Sequence, residues 1–161
     1  MTECMIAFGS NVGNRLGNLR RAADELGERA GRITARSGVY ETPPWGVASQ
    51  RRFLNACVII ETDESPRGLL MRAKDTEQAL GRKIRERWGP REIDVDILTY
   101  GEISSEDDDL VIPHPLMTER AFVLVPVFDI APGWKHPVTG EPLRELLEKT
   151  DKTGIIRITS L

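Results

Sequence analysis

The residues with the clearest chemical potential lie between Arg82 and Ile97, in the run RKIRERWGPREIDVDI. Five cations (Arg82, Lys83, Arg85, Arg87 and Arg91) stand against one carboxylate, Glu86, between positions 82 and 91, in a chain of net charge −3. Positive charge concentrated in an acidic protein points to a specific anion rather than to general affinity for nucleic acid. Guanidinium forks match phosphate oxygens two at a time, and Gly89-Pro90 makes a turn that aims Arg91. Asp94 and Asp96 follow, set between Ile93, Val95 and Ile97. In a strand that spacing puts both carboxylates on one face, with Cα atoms roughly 6.6 Å apart, and the aliphatic residues on the other. Two such carboxylates repel and require positive compensation; together they can hold divalent ions about 3.5–4 Å apart. An isolated D-x-D is more often a solvated strand face, but the adjoining basic loop reverses that weighing. A basic loop beside a metal site is what a polyphosphate such as ATP requires.

A second group of residues suits a flat, uncharged ligand. Pro43-Pro44-Trp45-Gly46 is a stiff turn ending in a large aromatic, and Phe53 and Asn55 share one face of the strand that follows. An aromatic face beside an amide that both donates and accepts fits a heterocycle. Taken alone, these residues favour the plainer reading of a core Phe53 and an Asn55 at a strand edge. His114, held between Pro113 and Pro115 and followed by Arg120 and Phe122, is more suggestive than His136, which has no comparable context. Glu77 reads as an exposed helix residue, Gly9-Ser10-Asn11 as a weak phosphate-turn signal, and the acidic run over 106–109 as a solvated loop.

The elements that must position these groups follow from periodicity. A strand is expected over 4–8 and a helix from the spacing of Leu16, Leu19, Ala22, Ala23 and Leu26, broken at Gly31. One strand is expected over 33–42, a loop to about position 51, and a strongly apolar strand at Phe53–Thr62. Ser65-Pro66 caps a second helix carrying Leu69, Leu70, Ala73 and Leu80 and ending at Gly81. A strand over 93–100 carries the aspartates, and Leu110–Ile112 is short and extended. Positions 116–130 read as helix in two pieces broken near Pro126, 141–149 as helix, and 155–159 as an edge strand. The order β-α-β-β-α-β is the ferredoxin-like α+β pattern: an antiparallel sheet with helices on one face, here with a C-terminal helical extension.

The 161 residues fit one domain, 1–161, and 40% hydrophobic with 29% charged residues is ordinary soluble composition. The N-terminus lacks the basic and apolar regions of a signal peptide, and no apolar run approaches a membrane span. Cys4 and Cys57 sit in apolar contexts and are expected as buried reduced thiols in a cytoplasmic protein.

Taken together, the segments AFGSN at 7–11, YETPPWG at 40–46, FLNA at 53–56, RWGPREIDVDI at 87–97, IPHP at 112–115 and RAF at 120–122 resemble the 6-hydroxymethyl-7,8-dihydropterin pyrophosphokinases of folate biosynthesis, in order and spacing, over about 4–132. The resemblance implies transfer of pyrophosphate from ATP to the pterin hydroxymethyl group, releasing AMP, with two Mg2+ ions held by Asp94 and Asp96. It implies an ATP site of Glu77, Arg82, Lys83, Arg85, Trp88, Arg91, Ile97, His114 and Arg120. Arg82 and Arg91 would grip phosphate, helped by either Lys83 or Arg85. It implies a pterin site of Thr42, Pro43, Pro44, Trp45, Phe53, Asn55, Asp94 and Phe122, with Phe53 and Phe122 sandwiching the ring. Its partners would be small molecules only, with neither nucleic acid nor membrane, and the chain a monomer. Lys74 stands where some members carry a glutamine, and Phe53 where some carry a tyrosine. Two other readings compete: a two-metal nucleotidyltransferase and a non-catalytic ferredoxin-like ligand-binding module. The first places its Gly-Ser turn closer to the carboxylates than the 84 positions separating Ser10 from Asp94. The second has no need of co-facing aspartates beside a phosphate-gripping loop.

Overall fold

Phe53–Thr62 (β4) is the strand on which the rest is arranged, because it is apolar along both faces and pairs with three others. The computed structural model describes residues 1–44, 49–83 and 89–161. Along the chain come β1 (Thr2–Ser10), α1 (Arg15–Ala30), β2 (Gly31–Arg36) and β3 (Gly38–Thr42). After β4 come α2 (Pro66–Ala79), β5 (Asp94–Tyr100), β6 (Ser105–Asp107) and β7 (Leu110–Ile112). A 3-10 turn (Met117–Glu119), α3 (Ala121–Ile130), α4 (Leu143–Lys149) and β8 (Ile156–Ser160) complete it. The main sheet runs β5-β1-β4-β3-β8, with β2 also on β4, and every pairing in it is antiparallel. This is the expected ferredoxin-like arrangement.

The strand expected over 33–42 is two strands. At the break, buried Ser37 donates its N–H to the Cys57 carbonyl and its Oγ accepts the Cys57 N–H, 2.9 and 2.8 Å. A hydroxyl thus replaces one backbone partner, and the chain steps to a new register. Gly31 begins β2 rather than a loop, because its N–H caps α1 while its backbone passes so close to Glu61 that a side chain would strike that carbonyl.

Helices cover both faces of the sheet, not one. Cys4, Ile6, Phe8, Val58, Ile60, Val95 and Ile97 pack against α1 and α2 through Leu19, Leu26, Leu69 and Ala73. Met5, Ala7, Cys57, Ile59 and Leu98, on the other face, pack against Val123, Leu124 and Val127 of α3 and Leu143 and Leu146 of α4. Strands apolar on both faces need two covers, so the C-terminal extension is a second layer. Asp129 pins α3 to β3 by accepting the Tyr40 hydroxyl and the Gly38 N–H, 2.7 and 2.9 Å. The helical break falls at Arg120 rather than near Pro126; α3 runs on through Pro126, which forgoes a single i−4 bond one turn into the helix. The acidic run is no free loop either. Asp107 ends a strand paired with β7, and Arg67 binds Asp107 and Asp109 at 2.6 and 3.2 Å. Cys4 and Cys57 are buried free thiols, one in each core. Among the described residues no helix is long and apolar enough to cross a membrane.

If α3 is an integral cover rather than an appendage, truncating its fully buried Leu124 removes core from the whole sheet. Leu124→Ala should cost about 2–5 kcal/mol, read in urea as a lower midpoint of a single transition. A separate early transition for α3, with the sheet unaffected, would contradict this.

Candidate active site

The site grows from two rows of residues crossing the sheet. In the first, Asp94 lies opposite Gly9, Gly9 opposite Asn55, and Asn55 opposite Tyr40. In the second, Asp96 lies opposite Ala7 and Ala7 opposite Cys57. Alternation turns Val95 and Ile97 into the core under α1 and α2, and Asp94 and Asp96 onto the face of α3. On that face β1 tapers from Met5 to Ala7 to Gly9, leaving a cavity of about 350 Å3 at the end of the sheet. A Cβ at Gly9 would lie 2.9 Å from Asn55 Oδ1. Gly9 is therefore the floor between a carboxylate side and an aromatic side.

On the carboxylate side, Asp94 Oδ1 lies 3.1 Å from Arg82 Nη2 and 3.6 Å from Arg91 Nε. Arg82 also reaches Glu77 Oε1 at 3.4 Å, and Glu77 Oε2 accepts the Val95 N–H, between the two aspartates, at 2.9 Å. Burial pushes Asp94 up to about 6, the Asp96 charge adding to it and Arg82, Arg91 and Arg120 opposing. Burial also raises Asp96, against the pull of Arg120, Arg82 and Arg91. Glu77 rises to about 7 by burial, opposed by the Val95 amide and Arg82. Burial, and after it Arg120, lowers His114 to about 4. The neutral imidazole accepts the Leu116 N–H at Nδ1, 3.2 Å away, which leaves its proton on Nε2.

On the aromatic side, Phe53, Phe122, Asn55, Thr42 and Pro43 line the cavity. Asn55 Nδ2 donates to Thr42 Oγ1 at 2.7 Å, which fixes the amide's orientation. The Arg120 guanidinium stacks over Phe122, 5.4 Å from the ring centre.

Eleven of the expected site residues thus line one cavity: Thr42, Pro43, Phe53, Asn55, Arg82, Arg91, Asp94, Asp96, His114, Arg120 and Phe122. Glu77 is not the exposed residue that helix periodicity suggests; it stands behind Arg82. The Ile97 side chain lies in the opposite core, away from the cavity, because it alternates with the aspartates. Lys83 and Pro44 are not among the lining residues. Trp45, Arg85 and Trp88 fall outside the described residues. In the sequence Gly9 reads only as part of a weak phosphate turn and Ala7 only as part of the AFGSN segment, although the shrinking side chains on alternate positions of β1 carry the signal of a floor. Asn11 too carries more than that turn suggests. Asn11 Oδ1 accepts the Arg91 N–H at 2.7 Å, while its Nδ2 donates to Gln50 Oε1 and the Arg51 carbonyl at 2.8 and 2.9 Å. One buried amide thereby ties the segment after residue 48 to the segment before β5.

Among the described residues no three His, Cys, Asp or Glu side chains converge as a closed metal cage. The donor set nevertheless fits magnesium, which keeps several waters and takes one or two carboxylates together with substrate phosphates.

A cavity with carboxylates and arginines at one end and an aromatic–amide wall at the other is laid out for group transfer between a charged donor and a flat acceptor. Residues 5–132 match the family model of 7,8-dihydro-6-hydroxymethylpterin-pyrophosphokinase (HPPK). The 2-amino-4-hydroxy-6-hydroxymethyldihydropteridine pyrophosphokinase of Methylorubrum extorquens is 46% identical over 159 residues, 98% of this chain and 99% of that one. The enzyme of the same name from Aquifex aeolicus is 39% identical over 145 residues, 90% of each chain. The fold is shared with a Plasmodium falciparum HPPK-DHPS crystal structure at TM-score 0.74 and 18% identity, over 98% of this chain; the chain spans about half, 47%, of that longer one. The chain belongs to the HPPK family.

Two outcomes test the site as drawn. Gly9→Ala should push Asn55 aside and raise the KM for the flat acceptor by roughly 10–100-fold, while affinity for the nucleotide donor stays within about twofold by calorimetry. Equal losses for both ligands would contradict a floor shared in this way. The His114 imidazole should titrate near 4 by NMR rather than at its ordinary 6.5. Because the unfolded chain then binds that proton more readily than the folded one, the contribution of His114 to stability is complete above pH 6.5 and is lost as pH falls towards 4. A midpoint near 6.5 would mean that the ring is solvated.

Proposed function

We propose the following division of labour for the transfer of pyrophosphate from ATP to the hydroxymethyl group of 6-hydroxymethyl-7,8-dihydropterin, the reaction the chain catalyses in folate synthesis. The whole of 1–161 acts as a single pyrophosphokinase domain, a cytoplasmic monomer whose partners are small molecules. Arg82 and Arg91 bind the phosphates, with Lys83 or Arg85 as a further contact and Trp88 beside them. His114 and Arg120 complete the nucleotide side, and any contact at Ile97 is made by its backbone. Glu77 acts through Arg82. Phe53 and Phe122 hold the pterin ring between them, Asn55 reads its polar edge, Thr42 and Pro43 close the wall, and Pro44 and Trp45 are assigned to the pterin side on the family resemblance alone. Asp94 and Asp96 would hold two Mg2+ ions, which would supply shielding of the phosphate charge and acidification of the hydroxyl.

The hydroxymethyl oxygen attacks the β-phosphorus and forms the new O–P bond. The bond from that phosphorus to the oxygen bridging to the α-phosphate breaks, AMP departs with that oxygen, and the hydroxyl proton passes to solvent. What the protein contributes is alignment and electrostatic compensation. Among the described residues no side chain is placed as a dedicated base. Glu77, which burial raises to about 7, is engaged by the Val95 N–H and Arg82. The observation that carries this reading is the single cavity in which Asp94, Asp96, Arg82 and Arg91 face Phe53, Asn55 and Phe122 across Gly9.

Incubation with ATP, Mg2+ and the reduced pterin alcohol should give AMP only when the pterin is present. Release of pyrophosphate would indicate nucleotidyl transfer instead. Asp96→Ala should abolish AMP formation with an unchanged circular dichroism spectrum, and retained turnover would refute the carboxylate assignment.

A further inference from the structure

Asp94 Oδ1 has more claimants than it can serve. It is the oxygen nearest Arg82 Nη2, at 3.1 Å, and Arg91 Nε, at 3.6 Å, and Asp94 lines the cavity where the metal-binding reading needs its carboxylate. A guanidinium and a divalent cation cannot share one carboxylate oxygen at contact distance without strong repulsion in a poorly solvated pocket. One must give way, and the two arginines are not equally free to do so.

Arg91 is fastened. Its side chain is 13% exposed, its Nη1 donates to the Gly89 and Pro90 carbonyls at 3.2 and 3.1 Å, and its backbone is held in both directions by Asn11. Arg82 is held more loosely. Its side chain is 33% exposed, its Nε has no hydrogen-bond partner among the described residues, and its second contact, to Glu77, is long at 3.4 Å. Its backbone N–H is fixed to the Glu77 carbonyl at 3.1 Å, so the side chain can swing while its base stays in place.

We infer that Arg82 is the exchangeable counter-ion of Asp94. It pairs with the carboxylate a metal ion would take and yields it when a polyphosphate offers the guanidinium other oxygens. Glu77 is the positioning residue that keeps Arg82 beside the site during the exchange. This rests on the reading that Asp94 and Asp96 hold metal. Formal charges agree with it. Asp94, Asp96 and Glu77 balance Arg82, Arg91 and Arg120. A divalent ion arriving alone unbalances that group, whereas a pair of them arriving with the ATP tetra-anion does not. Metal and nucleotide therefore bind with positive coupling, and Arg82 carries much of it.

The test is Mn2+ binding to the full chain, followed by EPR, without nucleotide and with α,β-methylene-ATP, whose bridge blocks transfer; binding by the nucleotide itself is subtracted. The wild-type chain should bind Mn2+ more tightly when the nucleotide is present. Arg82→Met should bind Mn2+ on the order of tenfold more tightly than wild type without nucleotide, and its coupling should shrink. Thermal melting checks that the variant is folded. Arg82→Met affinity equal to or weaker than wild type, with Mn2+ still bound by the wild-type nucleotide complex, overturns the counter-ion role and leaves the metal reading standing. Mn2+ binding unaffected by Asp94→Asn overturns both.

Discussion

Two carboxylates, two residues apart on one face of β5 and partly withdrawn from water, are the constraint around which the rest of the site is built. Desolvation pushes both towards protonation, at Asp94 with the Asp96 charge adding to it, and the chain answers with guanidinium groups from three places. Arg82 follows α2, Arg91 precedes β5, and Arg120 stands at the start of α3. Each is tied to a different element, so the packing of α2 and α3 on opposite faces of the sheet sets the charge balance at Asp94 and Asp96. This is the physical link between the fold and the reaction. A buried pair of carboxylates is thereby kept near neutrality by cations drawn from three elements.

The second requirement is space. β1 and β4 are buried along both faces, and α3 and α4 cover the second face through Leu124, Val127 and Leu143. That cover begins only at Ala121, after the 3-10 turn and the extended Arg120. The sheet end carrying Gly9, Asp94 and Asn55 therefore stays open. With no side chain at Gly9, donor and acceptor halves meet over bare backbone. Asn55 is held beside the gap by its hydrogen bond to Thr42. The close approach that such a transfer demands is thus written in small residues and one amide rather than in a catalytic base.

Much of this was legible beforehand because strand alternation is a strong rule. Asp94 and Asp96 had to share a face, and the basic loop beside them argued for phosphate. The same rule sends the Ile97 side chain to the core, where it lies, while the family resemblance implies a place for that residue in the nucleotide site. Phe53 and Asn55 were ambiguous in sequence because nothing local says which face of β4 lies under a helix and which under a cavity. That depends on where α3 stops, a tertiary fact. Glu77 and Asn11 were undervalued for a similar reason. Their partners, Val95 and Arg91, lie 18 and 80 positions away, beyond the reach of periodicity. Ser37 and Pro126 misled in opposite directions. A hydroxyl broke a strand that looked continuous, and a proline failed to break a helix already packed on Cys57 and Ile59.

The central claim is that one sheet face holds the metal-bound phosphates and the pterin side by side, with the hydroxymethyl group at the metal end. Paramagnetic relaxation tests it directly. The chain would be loaded with Mn2+, α,β-methylene-ATP and 13C-labelled 6-hydroxymethyl-7,8-dihydropterin, and relaxation compared along the ligand. The expected result is strong enhancement at the hydroxymethyl carbon, falling steeply towards the amino end of the ring. Equal enhancement along the ring, or none, would contradict it.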